Sequence, residues 1–337
     1  MKRINLALQG GGAHGAFTWG VLDRLLEEDD IEVAGISGTS AGAMNGAALK
    51  SGYLSGGNNG ARACLNWFWG QMGAVQDLGL PEWMGQGLPG AELLNQMAEM
   101  SPAYMISEAT RLMVSPYAYG PMYQNPLERI VKRFEFGQVC AGEGPQLYVG
   151  ATNVHTGKIR VFKGDEITPE ALLASACLPT MFQAIEIEGE HYWDGGYAGN
   201  PALFPLFAKD LPDDIVVINI NPLERPEVPK SPQEIHNRIN EISFNSSLLR
   251  ELRAINFVQR LLDQGAMAKG TMKRVNVHMI ADDDLMRDLS VATKLVPTPA
   301  LLKRLKNAGR EAADHFLNQH KEDLNRRSST DLEAMFS

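Results

Sequence analysis

A serine becomes a nucleophile when a tight turn exposes it beside a base, and Gly38-Thr39-Ser40-Ala41-Gly42 has the glycines that such a turn requires. A buried strand is expected over residues 31–37 and a helix of small residues over 41–49, which sets Ser40 at a strand-to-helix corner. Two other glycine-bearing stretches have chemistry of their own. Gly10-Gly11-Gly12-Ala13-His14-Gly15 follows a strand expected over 4–9 and opens an amphipathic helix over 16–28. Backbone N–H groups at such a helix start can receive a developing oxyanion. Asp194-Gly195-Gly196 follows a hairpin expected over 184–193. Asp-Gly is a common plain turn, yet two glycines after an acid also let the carboxylate stand beside another backbone turn.

Rival readings exist for each stretch. Gly10, Gly12 and Gly15 satisfy the G-x-G-x-x-G dinucleotide fingerprint, which needs an acid at the end of the following strand to hold a ribose. That strand ends in Gly35-Ile36-Ser37 and its acid, Glu32, is at the wrong end, so a dinucleotide-binding protein is the minor alternative. A Ser-His-Asp hydrolase would need a positioned imidazole. None of the seven histidines sits in a motif: His14 is inside the glycine turn, His155 and His191 on hairpins, and His236, His278, His315 and His320 late in the chain. Packing or surface roles are expected for them.

The elements that must position these residues alternate strand, glycine turn, helix, strand, serine turn, helix. That order calls for a parallel α/β sheet with both turns at the carboxyl ends of neighbouring strands. Further strands are expected over 146–153, 158–162, 215–221 and 275–280. Long helices are expected over 233–264, with Ile235, Ile239, Ile242, Leu249, Leu252, Val258 and Leu261 on a buried stripe, and over 299–325, with a frayed tail from Arg326. Residues 51–125 form an insert with a flexible Gly56-Gly57-Asn58-Asn59-Gly60 loop, Trp67, Phe68, Trp69, Trp83 and seven methionines from Met72 to Met122. Such residues fill a core or face an apolar substrate or a bilayer interface. The 337 residues carry 44% hydrophobic content and a net charge of −9, which argues against nucleic acid as a partner. Cys64, Cys140 and Cys177 are widely spaced, with no disulfide or metal framework, and a reducing compartment is expected. The apolar run 4–8 is too short for a signal peptide, and no run approaches the ~20 apolar residues of a membrane span. A cytoplasmic protein, peripheral at most to a membrane, is the expectation.

The three stretches occur in order with Ala151-Thr152-Asn153, Thr156-Gly157, an A-S-x-x-x-P-x-x-F block (Ala174-Ser175 through Pro179 to Phe182) and Asn200-Pro201. Together they resemble the patatin-like acyl hydrolases over residues 4–206. The resemblance implies a three-layer αβα sandwich with a mostly parallel central sheet, in one domain over 1–337 with a C-terminal extension over 207–325. It further implies a dyad: Ser40 as nucleophile, Asp194 as its base, and the amides of Gly10, Gly11 and Gly12, chiefly the last two, as oxyanion hole. The Ala41 N–H is a further donor by analogy with other nucleophile elbows. No cofactor or metal is implied, and the substrate would be a phospholipid, a lysophospholipid, an acylglycerol or a short-chain polyester. A non-catalytic membrane-binding scaffold is the alternative of another class. His14 is a departure, since the family commonly carries Arg or Lys there.

Overall fold

Period-two alternation sends the two sides of one strand into different cores. In β1 (Lys2–Leu8), Ile4, Leu6 and Leu8 join one buried cluster while Ala7 joins another. In β7 (Asp214–Ile218), Val216 and Ile218 face the first cluster, and Ile215 and Val217 the second. Strands apolar on both faces must be covered on both, which is the signature of a parallel α/β sheet.

The computed structural model describes residues 1–74, 115–118, 125–268, 270–289, 293–294 and 296–337. The remaining strands are β2 (Ile31–Thr39), β3 (Gln146–Asn153), β4 (Ile159–Lys163), β5 (Ile185–Ile187), β6 (Glu190–Asp194) and β8 (Asn276–Ile280). The sheet runs β5-β6-β3-β2-β1-β7-β8, with β4 also paired to β3. β1, β2, β3, β7 and β8 are mutually parallel, and β4, β5 and β6 form an antiparallel margin.

Helices α1 (Gly15–Leu25), α2 (Ala41–Ala74), α3 (Glu128–Val131), α4 (Phe136–Val139) and α5 (Pro169–Ser175) supply the first cluster, joined by α8 (Pro299–His320). α6 (Pro232–Asp263) and α9 (Leu332–Phe336) cover the opposite face through Leu248, Leu252, Ile255 and Leu332. α7 (Asp283–Asp288) follows β8. The mixed α/β architecture with flanking helices agrees with the fold expected from the sequence.

Local chemistry explains where the long helices begin. Ser231 and Glu234 make a reciprocal capping box ahead of Pro232, and Thr298 accepts from the Leu301 N–H ahead of Pro299. α1 and α8 cross closely at Gly20 and Gly309, where a Cβ would strike a backbone carbonyl of the other helix. Beside the crossing, buried Asp23 gathers Arg62 (3.0 Å), Lys306 (3.6 Å) and Arg310, tying α1 to α2 and α8.

Two expectations become specific and two change. Helical structure after the serine turn extends to Ala74 but breaks at Gly56 and Gly57, the latter at φ 61°. The chain folds back there, so that Gly52 lies against Gly60 and Trp69 Nε1 donates to Asn45 Oδ1 (2.9 Å); this glycine turn falls where it is expected. Phe68 and Trp69 are core residues, with Trp67 and Met72 packed against them; Trp83 and the methionines from Met84 to Met122 lie outside the described residues. The buried stripe of α6 is Leu248, Leu252 and Ile255, whereas Ile235, Ile239 and Ile242 are 42%, 58% and 54% exposed. A 3.6-residue period puts the two sets on opposite sides of the helix. Finally, the tail is docked: the Ser328 hydroxyl accepts from the Val277 N–H (3.0 Å), Ser329 meets His278 Nδ1 (2.9 Å), and Leu332 is buried. His278 itself is engaged by Asp214 through Nε2 (2.9 Å), a packing role as expected. Among the described residues no helix is long and apolar enough to cross a membrane.

Gly309→Ala should lower the thermal midpoint by several degrees, since overpacking a tight crossing costs ~1–3 kcal/mol. A melt followed by circular dichroism reads it; an unchanged midpoint would mean that the helices separate freely.

Candidate active site

The register of the parallel strands brings the two glycine turns together. Leu8 pairs with Gly38, so β1 and β2 end side by side and both turns leave the sheet at the same edge. Ser40 adopts φ 54°, a left-handed conformation that costs energy for a residue with a side chain and persists only where its surroundings enforce it. The surroundings are identifiable. The Ser40 N–H donates to the Ser175 hydroxyl (2.9 Å), which itself donates to the Gly150 carbonyl (2.6 Å), and the Ser40 carbonyl accepts from Met44 N–H in the first turn of α2 (3.1 Å). Gly10 lies against the elbow, where a Cβ would come within 2.7 Å of Ser40 Cβ. Ser175, part of the A-S-x-x-x-P-x-x-F block, is thus the clamp on the turn, a role that its position in the sequence does not reveal.

Asp194 arrives by two pairings: Thr39 of β2 lies opposite Gly150 of β3, and the next residue, Ala151, lies opposite Asp194 of β6. Its main chain is pinned by the Asp194 N–H donating to the Cys177 carbonyl (2.8 Å) and by Thr152 Oγ1 donating to the Asp194 carbonyl (2.8 Å). Its carboxylate accepts from the Gly196 N–H (2.8 Å), and the neighbouring Ser40 hydroxyl also favours its charged form. The residue is 1% exposed. Burial pushes its pKa up to about 7, against the opposing pull of those two groups. Ser40 and Asp194, about 150 residues apart in the sequence, are thus brought to the same corner of the sheet.

The glycine turn is held by a lattice of carboxamides. The Gly10 carbonyl accepts from Asn221 Nδ2 (2.9 Å), and the Gln9 side chain accepts from the Ile220 N–H (2.9 Å) and the Asn221 N–H (3.1 Å). Gln9 Nε2 donates to Asn245 Oδ1 (3.1 Å). The Gly10 N–H donates to Asn200 Oδ1 (2.7 Å), which corrects the expectation that all three glycine amides face a ligand: that of Gly10 is already satisfied. The N–H groups of Gly11 and Gly12 have no hydrogen bond among the described residues. Ala41 opens α2, where first-turn N–H groups lack intrahelical partners.

His14 is buried beside this turn, its Nε2 paired with Thr293 Oγ1 (2.7 Å). Burial, then the charge of Lys294, pulls its pKa well below the usual imidazole range, so it is neutral at neutral pH. The cation that the motif lacks comes from elsewhere in the chain. Lys294 Nζ donates to Asn221 Oδ1 (2.7 Å), and the Lys294 carbonyl lies against Gly12. Burial lowers its pKa to about 8, with Glu241 opposing the shift and Arg225 adding to it. Nothing around Lys294 in the sequence marks it. Among the described residues no group of three or more metal-ligating side chains occurs.

A largely parallel sheet that presents a strained serine at a strand-to-helix corner, beside a glycine turn and a buried acid, defines a mixed α/β protein whose sheet and helices converge on that corner. Residues 6–207 match the family model for patatin-like phospholipases, and the chain belongs to that family. Membership assigns it to the lipid acyl hydrolases at the level of the family. It is similar in structure to VipD from Legionella pneumophila (15% identity, TM-score 0.46), covering 95% of this chain and 67% of that one. It is also similar to the ExoU–SpcU complex of the type III secretion system of Pseudomonas aeruginosa (18% identity, TM-score 0.30), covering 96% of this chain and 60% of that one. No curated protein sequence matches.

An ionised Asp194 is expensive to bury. A folded pKa of about 7, against ~3.9 in the unfolded chain, contributes stability that is whole below the unfolded pKa and is lost as pH rises through 7, about 4 kcal/mol in all. Asp194→Asn should therefore be no more stable than wild type at pH 4 and clearly more stable at pH 8, by urea unfolding. A stability difference that does not change with pH would sink the assignment of a raised pKa.

Proposed function

We propose that this protein hydrolyses carboxylic ester bonds of lipids through a Ser40–Asp194 dyad and an acyl-enzyme intermediate. The observation that carries this reading is a strained, clamped serine set by the strand register beside a buried carboxylate whose pKa is about 7. An aspartate at its ordinary pKa is a weak base at neutral pH, whereas one near 7 is matched to taking the serine proton. Ser40 Oγ attacks the ester carbonyl carbon as its proton passes to Asp194. The carbonyl oxygen becomes an oxyanion and takes hydrogen bonds from the N–H groups of Gly11 and Gly12, with Ala41 as a third donor. Collapse expels the alcohol, which leaves with the proton from Asp194. Water then attacks the Ser40 acyl ester, giving its proton to the same carboxylate, and the fatty acid departs as the proton returns to Ser40.

Lys294 supports the turn from behind. Its charge polarises the Asn221 carboxamide that binds the Gly10 carbonyl and adds positive potential where the oxyanion forms. The substrate class proposed is a long-chain ester, phospholipid first, with lysophospholipid, acylglycerol and short-chain polyester as the panel against which it is measured.

Ser40→Ala should abolish labelling by a fluorophosphonate and lower ester hydrolysis by at least ~10³-fold; full hydrolysis by that variant would end the reading. The pH profile of kcat/KM should be bell-shaped. Activity rises as Asp194 ionises near pH 7 and falls as Lys294 loses its proton near pH 8, provided Glu241, Arg225 and neutral His14 keep their charge states. Lys294→Met should lower kcat about tenfold, less than the ~10²–10³ of a direct oxyanion donor. Lys294→Arg should keep activity and move the alkaline fall upward; an alkaline limb unchanged in both variants would remove Lys294 from this role.

A further inference from the structure

The outward side of α6 combines two kinds of residue that seldom share a solvent-facing stripe. Ile235, Ile239 and Ile242 are exposed and recur at intervals of four and three, continuing along the same side as Ser246, Arg250, Arg253, Phe257 and Arg260. At 1.5 Å per residue the stripe is about 37 Å long. The opposite side carries Leu248, Leu252 and Ile255 into the core. The isoleucines are therefore surplus to folding, and their half of the stripe is open and apolar.

The other half is cationic. Among the described residues Arg250, Arg253 and Arg260 form no ion pair with a carboxylate, whereas Arg24, Arg62, Arg225, Arg238 and Arg310 all do. Arg253 lies over the ring of Phe336 (5.1 Å), Arg260 over that of Phe257 (6.0 Å), and Arg250 folds back onto Ser246. The three guanidiniums line a groove of ≈ 460 Å³ together with Asn256, Phe257 and Phe336. In a chain of net charge −9, this is a local concentration of unneutralised positive charge.

We propose that the outward stripe of α6 is a docking face for an anionic lipid surface. The arginine half takes phosphate headgroups and the isoleucine half enters the boundary between headgroups and acyl chains. An apolar face continuous with a basic one is the pattern of a helix that lies in the plane of a membrane interface. Nucleic acid would use the arginines and leave the isoleucines in water, and a second copy of the chain would use the isoleucines and leave three arginines unpaired. A lipid surface uses both. The docking face is separate from the chemistry at Ser40, so it stands even for a chain that binds vesicles without cleaving them.

Flotation of Ser40→Ala protein, which prevents turnover, with vesicles of phosphatidylcholine alone and of equimolar phosphatidylcholine and phosphatidylglycerol tests it. Binding should appear with the anionic vesicles and weaken as salt is raised. Changing Arg250, Arg253 and Arg260 together to Gln should weaken binding about a hundredfold, from ~1 kcal/mol for each charge at an anionic surface. The same three changed to Lys should bind nearly as wild type. Ile235, Ile239 and Ile242 changed to Ser should lower binding about tenfold at constant salt dependence. With Ser40 restored, every variant should hydrolyse a soluble p-nitrophenyl ester as wild type does and should melt normally, which separates failure of docking from failure of folding or of chemistry. Wild-type protein that does not float, Gln variants that float unchanged, or isoleucine variants that only abolish a dimer in sedimentation would each overturn the docking face.

Discussion

The cost of burying one carboxylate organises this structure. The Asp194 carboxylate has the Gly196 N–H as its donor, the Ser40 hydroxyl beside it and almost no solvent. A charge so poorly compensated shifts its own pKa until it can exist near neutrality, and it persists only if the backbone gives it no escape. The backbone gives none: β6 is paired with β3, and the N–H and carbonyl of Asp194 are bound by Cys177 and Thr152. The strain at Ser40 is maintained in the same way, by Ser175 from below and the glycine turn from the side. Two unfavourable local states thus face each other, and the sheet holds both.

The glycine turn is held by neutral groups. Gln9, Asn200, Asn221 and Asn245 satisfy its inner polar atoms through carboxamides, which donate and accept at once and can close a lattice with no net charge. Charge enters at one point, Lys294, which reaches Asn221 from a part of the chain far from the turn. His14 is kept neutral first by its own burial and then by the repulsion of this neighbouring charge, and it remains bonded to Thr293. Where the family's usual basic residue is replaced by His14, a cation from a distant part of the chain, Lys294, lies beside the turn.

α6 serves both sides of itself. Its inner side closes the second core and contributes Asn245 to the carboxamide lattice, while Phe244 packs on Tyr197 and over Gly196, next to the buried acid. Its outer side holds Arg253 over Phe336 of α9 and leaves Ile235, Ile239 and Ile242 exposed. Apolar residues retained there, in line with unpaired arginines, are what makes a surface function of this helix a physical question.

The local elements were legible in the sequence because their causes are local. The apolar residues of β1 and β7 and the glycines around Ser40 act over a few positions, and the resemblance carried by the ordered motifs pointed to Ser40 and Asp194 together without any geometry. Tertiary structure decided what depends on contacts between distant segments. Periodicity alone cannot say which side of an amphipathic helix meets the core when both sides carry apolar residues, so Ile235, Ile239 and Ile242 were expected inside and lie outside. The glycine pair reads as a turn and is one, but only packing of Leu65, Phe68 and Trp69 decides that the chain after it returns as a helix against the first half. Which amides of the glycine turn stay without a partner was likewise decided by Asn200, whose side chain takes the Gly10 N–H. Ser175 and Lys294 act on the site through single hydrogen bonds made across the fold, and a hydrogen bond between residues far apart in the chain leaves no spacing for a sequence to display.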